Sequence, residues 1–128
     1  MEERKLTWEW IIAACEGGIK AANEAAERYP GQQQKFVKQW IDKNNGLLNA
    51  AVKLRAHPHL ENLVAYMGVS IFHWWPTPDT RVWLNYDNDL GYQIGLEHHQ
   101  HVVEEVIVSL DDAAETIWTF INKAQNMQ

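Results

Sequence analysis

The stretch "VSIFHWWPTPDTRVWLNYDNDLGYQIGL", Val69 to Leu96, decides how this chain is read. "VSIFHWW" and "RVWLNYD" alternate, and "GYQIGL" sets Tyr92, Ile94 and Leu96 on one side. A period of two marks a half-buried strand, because successive side chains leave a strand on opposite faces. Between two of these runs lies "DNDLG", Asp87 to Gly91, built of residues that turn a chain and so read as a hairpin loop. "VVEEVIVSL", from Val102, supplies a further strand. The expectation is an antiparallel meander of three to four strands over residues 69–109.

Upstream of Gly68 the apolar period is that of a helix. Residues 7–29 carry Trp8, Ile11, Ile12, Cys15, Ile19, Ala22 and Ala26 at three- and four-residue steps, with Thr7 placed to cap them. "YPG", Tyr29 to Gly31, ends that helix. A second pattern runs through Phe36, Val37, Trp40, Ile41, Leu47, Leu48, Ala51 and Leu54. Its phase continues across "NNG", Asn44 to Gly46, which predicts one long helix carrying a glycine at a cost of ~1 kcal/mol. Two such helices make an N-terminal hairpin. "HPH", His57 to His59, opens a short segment to Tyr66 that reads as a further helical turn or two.

Downstream, Asp111 or Asp112 is placed to cap a helix over 112–125 whose face is Ile117, Trp118 and Ile121, with Asp112 and Glu115 at capping-box spacing. No repeat, low-complexity tract or linker interrupts the chain. The sequence therefore predicts one α+β domain over 1–128: helical hairpin, meander, closing helix. Its expected core is Ile11, Cys15, Ile19, Trp40, Ile41, Leu48, Leu84, Ile94, Val106, Ile117, Trp118 and Ile121. The run from Arg81 through Ile121 resembles the ends of many small bacterial accessory proteins, a likeness of fold that carries no function with it.

Composition narrows the function classes. A chain of 128 residues, 46% hydrophobic and 22% charged, fits one globular domain that needs no disulfide or metal to hold it. The net charge of −6 disfavours nucleic acid and anionic membrane and favours a basic partner. One cysteine, Cys15, excludes an intramolecular disulfide and suits a reducing cytoplasm. The start "MEERKLTWEWIIAACEGG" does not read as a signal peptide, and no stretch approaches the roughly eighteen apolar residues of a membrane span.

Chemistry concentrates in "GLEHHQHVVEEV", Gly95 to Val106. In an extended strand Glu97, His99 and His101 point one way, and the two histidines stand about 7 Å apart, a spacing that metal sites use. Glu97 to His101 spans roughly 13 Å, too far for one ion without a bend and a further ligand such as His73 or Glu105. The competing reading makes "EHHQH" the solvated turn between two strands, and the balance of the argument favours it. "DNDLG" fails as a calcium loop, since glycine and glutamate are missing from the positions an EF-hand requires. Cys15 lies on an apolar stripe, where thiols are inert. No nucleophile elbow, phosphate loop, dinucleotide fingerprint, zinc-protease motif or C-x-x-C is present, and nothing calls for a cofactor. The basic side of the second helix (Lys35, Lys38, Lys43, Lys53, Arg55) reads as a solvated face.

Seven tryptophans are the unusual feature. Trp74 and Trp75 are adjacent and so face opposite sides of a strand. The simplest packing covers both sheet faces, one with the helical hairpin and the other with the C-terminal helix. If one face is open, Trp74, Trp75 and Trp83, rimmed by Asp79, Asp87 and Asp89, form the expected binding patch. The leading expectation is a non-enzymatic acidic module that uses this patch to bind a protein partner, inhibiting or sheltering it, or a second copy of itself. The alternatives are a small-molecule binder with an aromatic pocket between helices and sheet, and a metal-dependent activity in the region His98 to Glu105.

Overall fold

A computed structural model describes residues 5–28, 31, 33–60, 65–68 and 71–127. The N-terminal hairpin consists of α1, Trp8–Arg28, and α2, Gln33–Ala56. Thr7 caps α1 as its chemistry suggests, with its Oγ1 accepting the Trp10 amide at 3.2 Å. α2 runs unbroken through Asn44–Gly46. Gly46 marks a contact rather than a turn, for a Cβ there would fall 2.4 Å from the Tyr86 ring. After α2, His57 to Leu60 make a single turn closed by the Leu60 amide on the His57 carbonyl at 3.1 Å. Of the expected helical segment to Tyr66, residues 61–64 lie outside the described residues, and Ala65 and Tyr66 belong to a strand.

The sheet has the order β1-β2-β3-β4-β5-β6, antiparallel throughout. Its four long strands, β3 (Ile71–Thr77), β4 (Thr80–Asp87), β5 (Gly91–His98) and β6 (His101–Val108), are the meander read from the sequence. Two short strands, β1 (Lys5–Leu6) and β2 (Ala65–Gly68), extend it beyond β3. The last helix, α3, covers Leu110–Gln125. Its N-cap is Ser109, not Asp111 or Asp112, because Leu110 already turns helical. Asp111 and Asp112 instead occupy the first turn, where the helix dipole favours acids. Glu115 makes no capping box; it reaches across to His57 Nε2 at 2.9 Å.

All three helices pack on one side of the sheet. α3 lies against β3, β4 and β5, α2 against α3 and β4, and α1 against α2. The core between the layers holds Ile11, Leu54, Phe72, Leu84, Ile94 and Ile117, all fully buried. Trp8 joins it with its ring edge-on to Phe72 at 6.1 Å and its Nε1 donating to the Leu60 carbonyl at 2.9 Å. The expectation that a helix covers each sheet face is thus corrected. Among the described residues no helix covers the side that carries Arg81, Trp83, Gln93 and Glu97.

Of the expected core, Ile11, Cys15, Leu84, Ile94, Ile117 and Ile121 are buried, and Ile19, Ile41, Leu48, Val106 and Trp118 are partly so. Trp40 is the exception, 58% exposed. Its helical phase matches that of the buried Leu47 and Leu54, but no described element covers that side of α2 over its first turns. Periodicity fixes the side of a helix and leaves open how far its partner layer extends.

Candidate functional site: an open cleft at the turn end of the sheet

Two tight turns meet at one end of the helix-free face. The β3–β4 turn, Pro78–Asp79, is clasped by Thr77 and the buried Thr80, whose hydroxyls are 2.7 Å apart. The β5–β6 turn, His99–Gln100, holds both residues at positive φ, 50° and 69°. That is the two-residue geometry whose twist matches flanking strands, here without the usual asparagine and glycine. The His99 amide donates to the Asp79 carbonyl at 2.9 Å and ties one turn to the other.

Trp75 reaches this site through an irregularity in β3. Trp74 pairs with Val82 and Thr77 with Thr80, so β3 carries one extra residue across that interval, beside Pro76. A bulge re-aims the side chains around it, and proline in a sheet is found at such places. Trp75 emerges 47% exposed, with its ring 6.2 Å from that of His73. It lines a cleft of about 560 Å³ together with Pro78, Asp79, Arg81, Glu97, His99 and Gln100. Arg81 and Glu97 are cross-strand neighbours, with Nη1 and Oε2 3.7 Å apart. His99 Nδ1 stands 3.8 Å from Asp79 Oδ1. Asp79 and Glu97 thus set two carboxylates against the single guanidinium of Arg81, beside the exposed Trp75 indole. Further along the same face Trp83 lies over Gly95, where a Cβ would come within 2.2 Å of the indole.

The residues expected to form the binding patch are divided. Trp75 and Asp79 line the cleft, and Trp83 shares its face, half-buried on Gly95. Trp74 is 4% exposed on the opposite side of β3, inside the core and 6.3 Å from the Trp8 ring. Asp87 ends β4 and Asp89 sits in the β4–β5 loop, at the end of the strand far from the cleft. There Asp87 Oδ1 accepts the amides of Asp89 and Leu90 at 2.8 and 2.9 Å. The Leu90 and Asp89 amides, in that order, hold the Asp87 carboxyl below its ordinary range. This carboxylate shapes a turn. Arg81, Glu97 and His99 complete the cleft; the signal for the first two was their parity on neighbouring strands.

The stretch "EHHQH" spans the end of β5, the two-residue turn His99–Gln100 and the start of β6. Glu97 is engaged by Arg81, His99 is at the tip, and His101 begins β6 exposed to solvent. Among the described residues no three His, Cys, Asp or Glu side chains gather as a metal site. The space between helices and sheet is filled by side chains such as Trp8, Phe72 and Trp74, and the cleft lies on the other side of the sheet. Cys15 is buried, and burial, with Glu16 adding to it, pushes its thiol up to about 11, so no thiolate nucleophile is available near neutrality. Among the described residues no helix is long and apolar enough to cross a membrane. No family model, curated protein or solved structure matches the chain.

Proposed function

We propose that this chain is a non-enzymatic interaction module that binds a basic protein partner on its helix-free sheet face. The observation that carries the reading is Trp75, 47% exposed in a cleft whose other walls include Asp79 and Glu97. A cationic side chain laid on an indole gains cation–π attraction, and a carboxylate at the rim completes its neutralisation. Tryptophan is also the side chain most enriched among residues that dominate binding energy. The chain's net charge of −6 would steer such a partner toward encounter. A reducing cytoplasm is the setting this reading assumes, in keeping with the buried thiol of Cys15.

The cleft volume, about 560 Å³, also lies in the size range of small-ligand sites. A flat aromatic ligand stacked on Trp75 is therefore the second reading. Amide shift mapping with a lysine- and arginine-rich peptide separates the two. The first reading expects salt-sensitive shifts at Trp75, Arg81, Glu97 and His99. Absence of shifts there, or equal shifts with a glutamate-rich peptide, would remove it.

A further inference from the structure

Arg81 is the part of the cleft that a basic ligand does not explain. It is the only arginine or lysine in the lining, and it stands directly across from Glu97 in the β4–β5 register. A cation entering beside Glu97 would meet this guanidinium as a like charge, which disfavours binding. Nor does the fold occupy the guanidinium. Its Nη1 lies 3.7 Å from Glu97 Oε2, beyond hydrogen-bond range. Its Nε is buried and has no hydrogen-bond partner among the described residues, although the side chain as a whole is 26% exposed. A guanidinium carries five N–H donors and no acceptor, so one held in this way favours a ligand that brings acceptor oxygens. With Nε shut off from solvent, the two Nη nitrogens are the donors left to a ligand. Two parallel donors match the two oxygens of a carboxylate.

Resting on the reading of the cleft as a site for basic groups, we propose that its ligand is amphoteric. A basic side chain lies on Trp75 beside Asp79 and Glu97, and a carboxylate next to it is taken by Arg81 in two parallel hydrogen bonds. The carboxylate offsets the repulsion between Arg81 and the incoming cation. A purely acidic ligand does not bind, because two carboxylates in the lining oppose it against one guanidinium. Directly opposed residues on neighbouring antiparallel strands have Cβ atoms about 5 Å apart, so the two charges of the ligand must also lie close together. A peptide brings them together in two ways. A basic residue at a C-terminal end carries its own free α-carboxylate. Within an extended segment, an acidic residue two places from the basic one points to the same side, about 7 Å away, whereas an adjacent one points to the other.

Calorimetric titration with three peptides tests this: acetyl-Gly-Gly-Arg with a free C-terminal carboxylate, the same peptide amidated, and amidated acetyl-Arg-Gly-Glu. Wild type is expected to bind at least one of the two carboxylate-bearing peptides about tenfold more tightly than the amidated cation. The tighter of the two names the source of the carboxylate. Arg81→Gln should erase the preference and leave the amidated cation bound at least as tightly as before, while Trp75→Ala should weaken all three. Equal binding of the three peptides by wild type would overturn the carboxylate proposal and leave the cleft as a site for basic groups alone. A preference that survives Arg81→Gln would overturn it in the same way. Binding of none of the three would remove both readings.

Discussion

Gly46 on α2 lies against the ring of Tyr86 on β4 so closely that a Cβ would fall 2.4 Å from it, and its carbonyl accepts the Tyr92 hydroxyl at 2.7 Å. This is where the helical hairpin is keyed to the sheet. Alanine at position 46 would gain ~1 kcal/mol of helix propensity yet displace the ring or the helix. Overpacking of this kind costs about 1–3 kcal/mol, so Gly46→Ala should be destabilising on balance in denaturant unfolding. A higher midpoint would show that Tyr86 yields freely.

Tyr92 supplies a pH signature for the same joint. Burial, and secondarily Tyr86, pushes its phenol up to about 12 from an ordinary 10. The folded state prefers the protonated form, so this contribution is complete below pH 10 and is lost as pH rises from there through the folded value. Tyr92→Phe should flatten that alkaline loss and cost about 0.5–1.5 kcal/mol at neutral pH through the missing hydrogen bond. An unchanged alkaline unfolding curve in Tyr92→Phe would place the sensitivity elsewhere.

Much of this fold was legible in the sequence, and particular residues show where legibility stops. The Thr7 cap, the unbroken phase of α2 and the Asp87–Gly91 hairpin are local matters, decided by side chains close in sequence. β1 has two residues, too few to show a period. Strand parity set Trp74 and Trp75 on opposite sides but could not say which side the helices would cover. The Asp87 and Asp89 carboxylates looked equivalent to Asp79, although the length of β4 separates them. Arg81 and Glu97 become neighbours only through the register of β4 with β5, a tertiary fact.

Cys15 should behave as an inert thiol. With its pKa pushed up to about 11 and its side chain buried, a disulfide reagent at pH 8 should react with it only as fast as the protein opens. Stoichiometric reaction within seconds in native buffer, with full reaction also in denaturant, would contradict this burial.

Gln100, at φ 69°, occupies a conformation that costs a side-chain-bearing residue about 1–2 kcal/mol. Gln100→Gly relieves that strain while enlarging unfolded-state freedom, for a net gain of roughly 0.5–1 kcal/mol. A lower melting temperature would mean that the Gln100 side chain makes a compensating contact.

The central claim is that Trp75 anchors a basic partner in the cleft shared with Asp79 and Glu97. Its most direct test is calorimetric titration of wild type and Trp75→Ala with one lysine- and arginine-rich peptide, at low and at physiological salt. The account predicts binding by wild type that weakens as salt rises, at least tenfold weaker binding by Trp75→Ala, and no binding of a glutamate-rich control. Equal affinity for wild type and Trp75→Ala would contradict it.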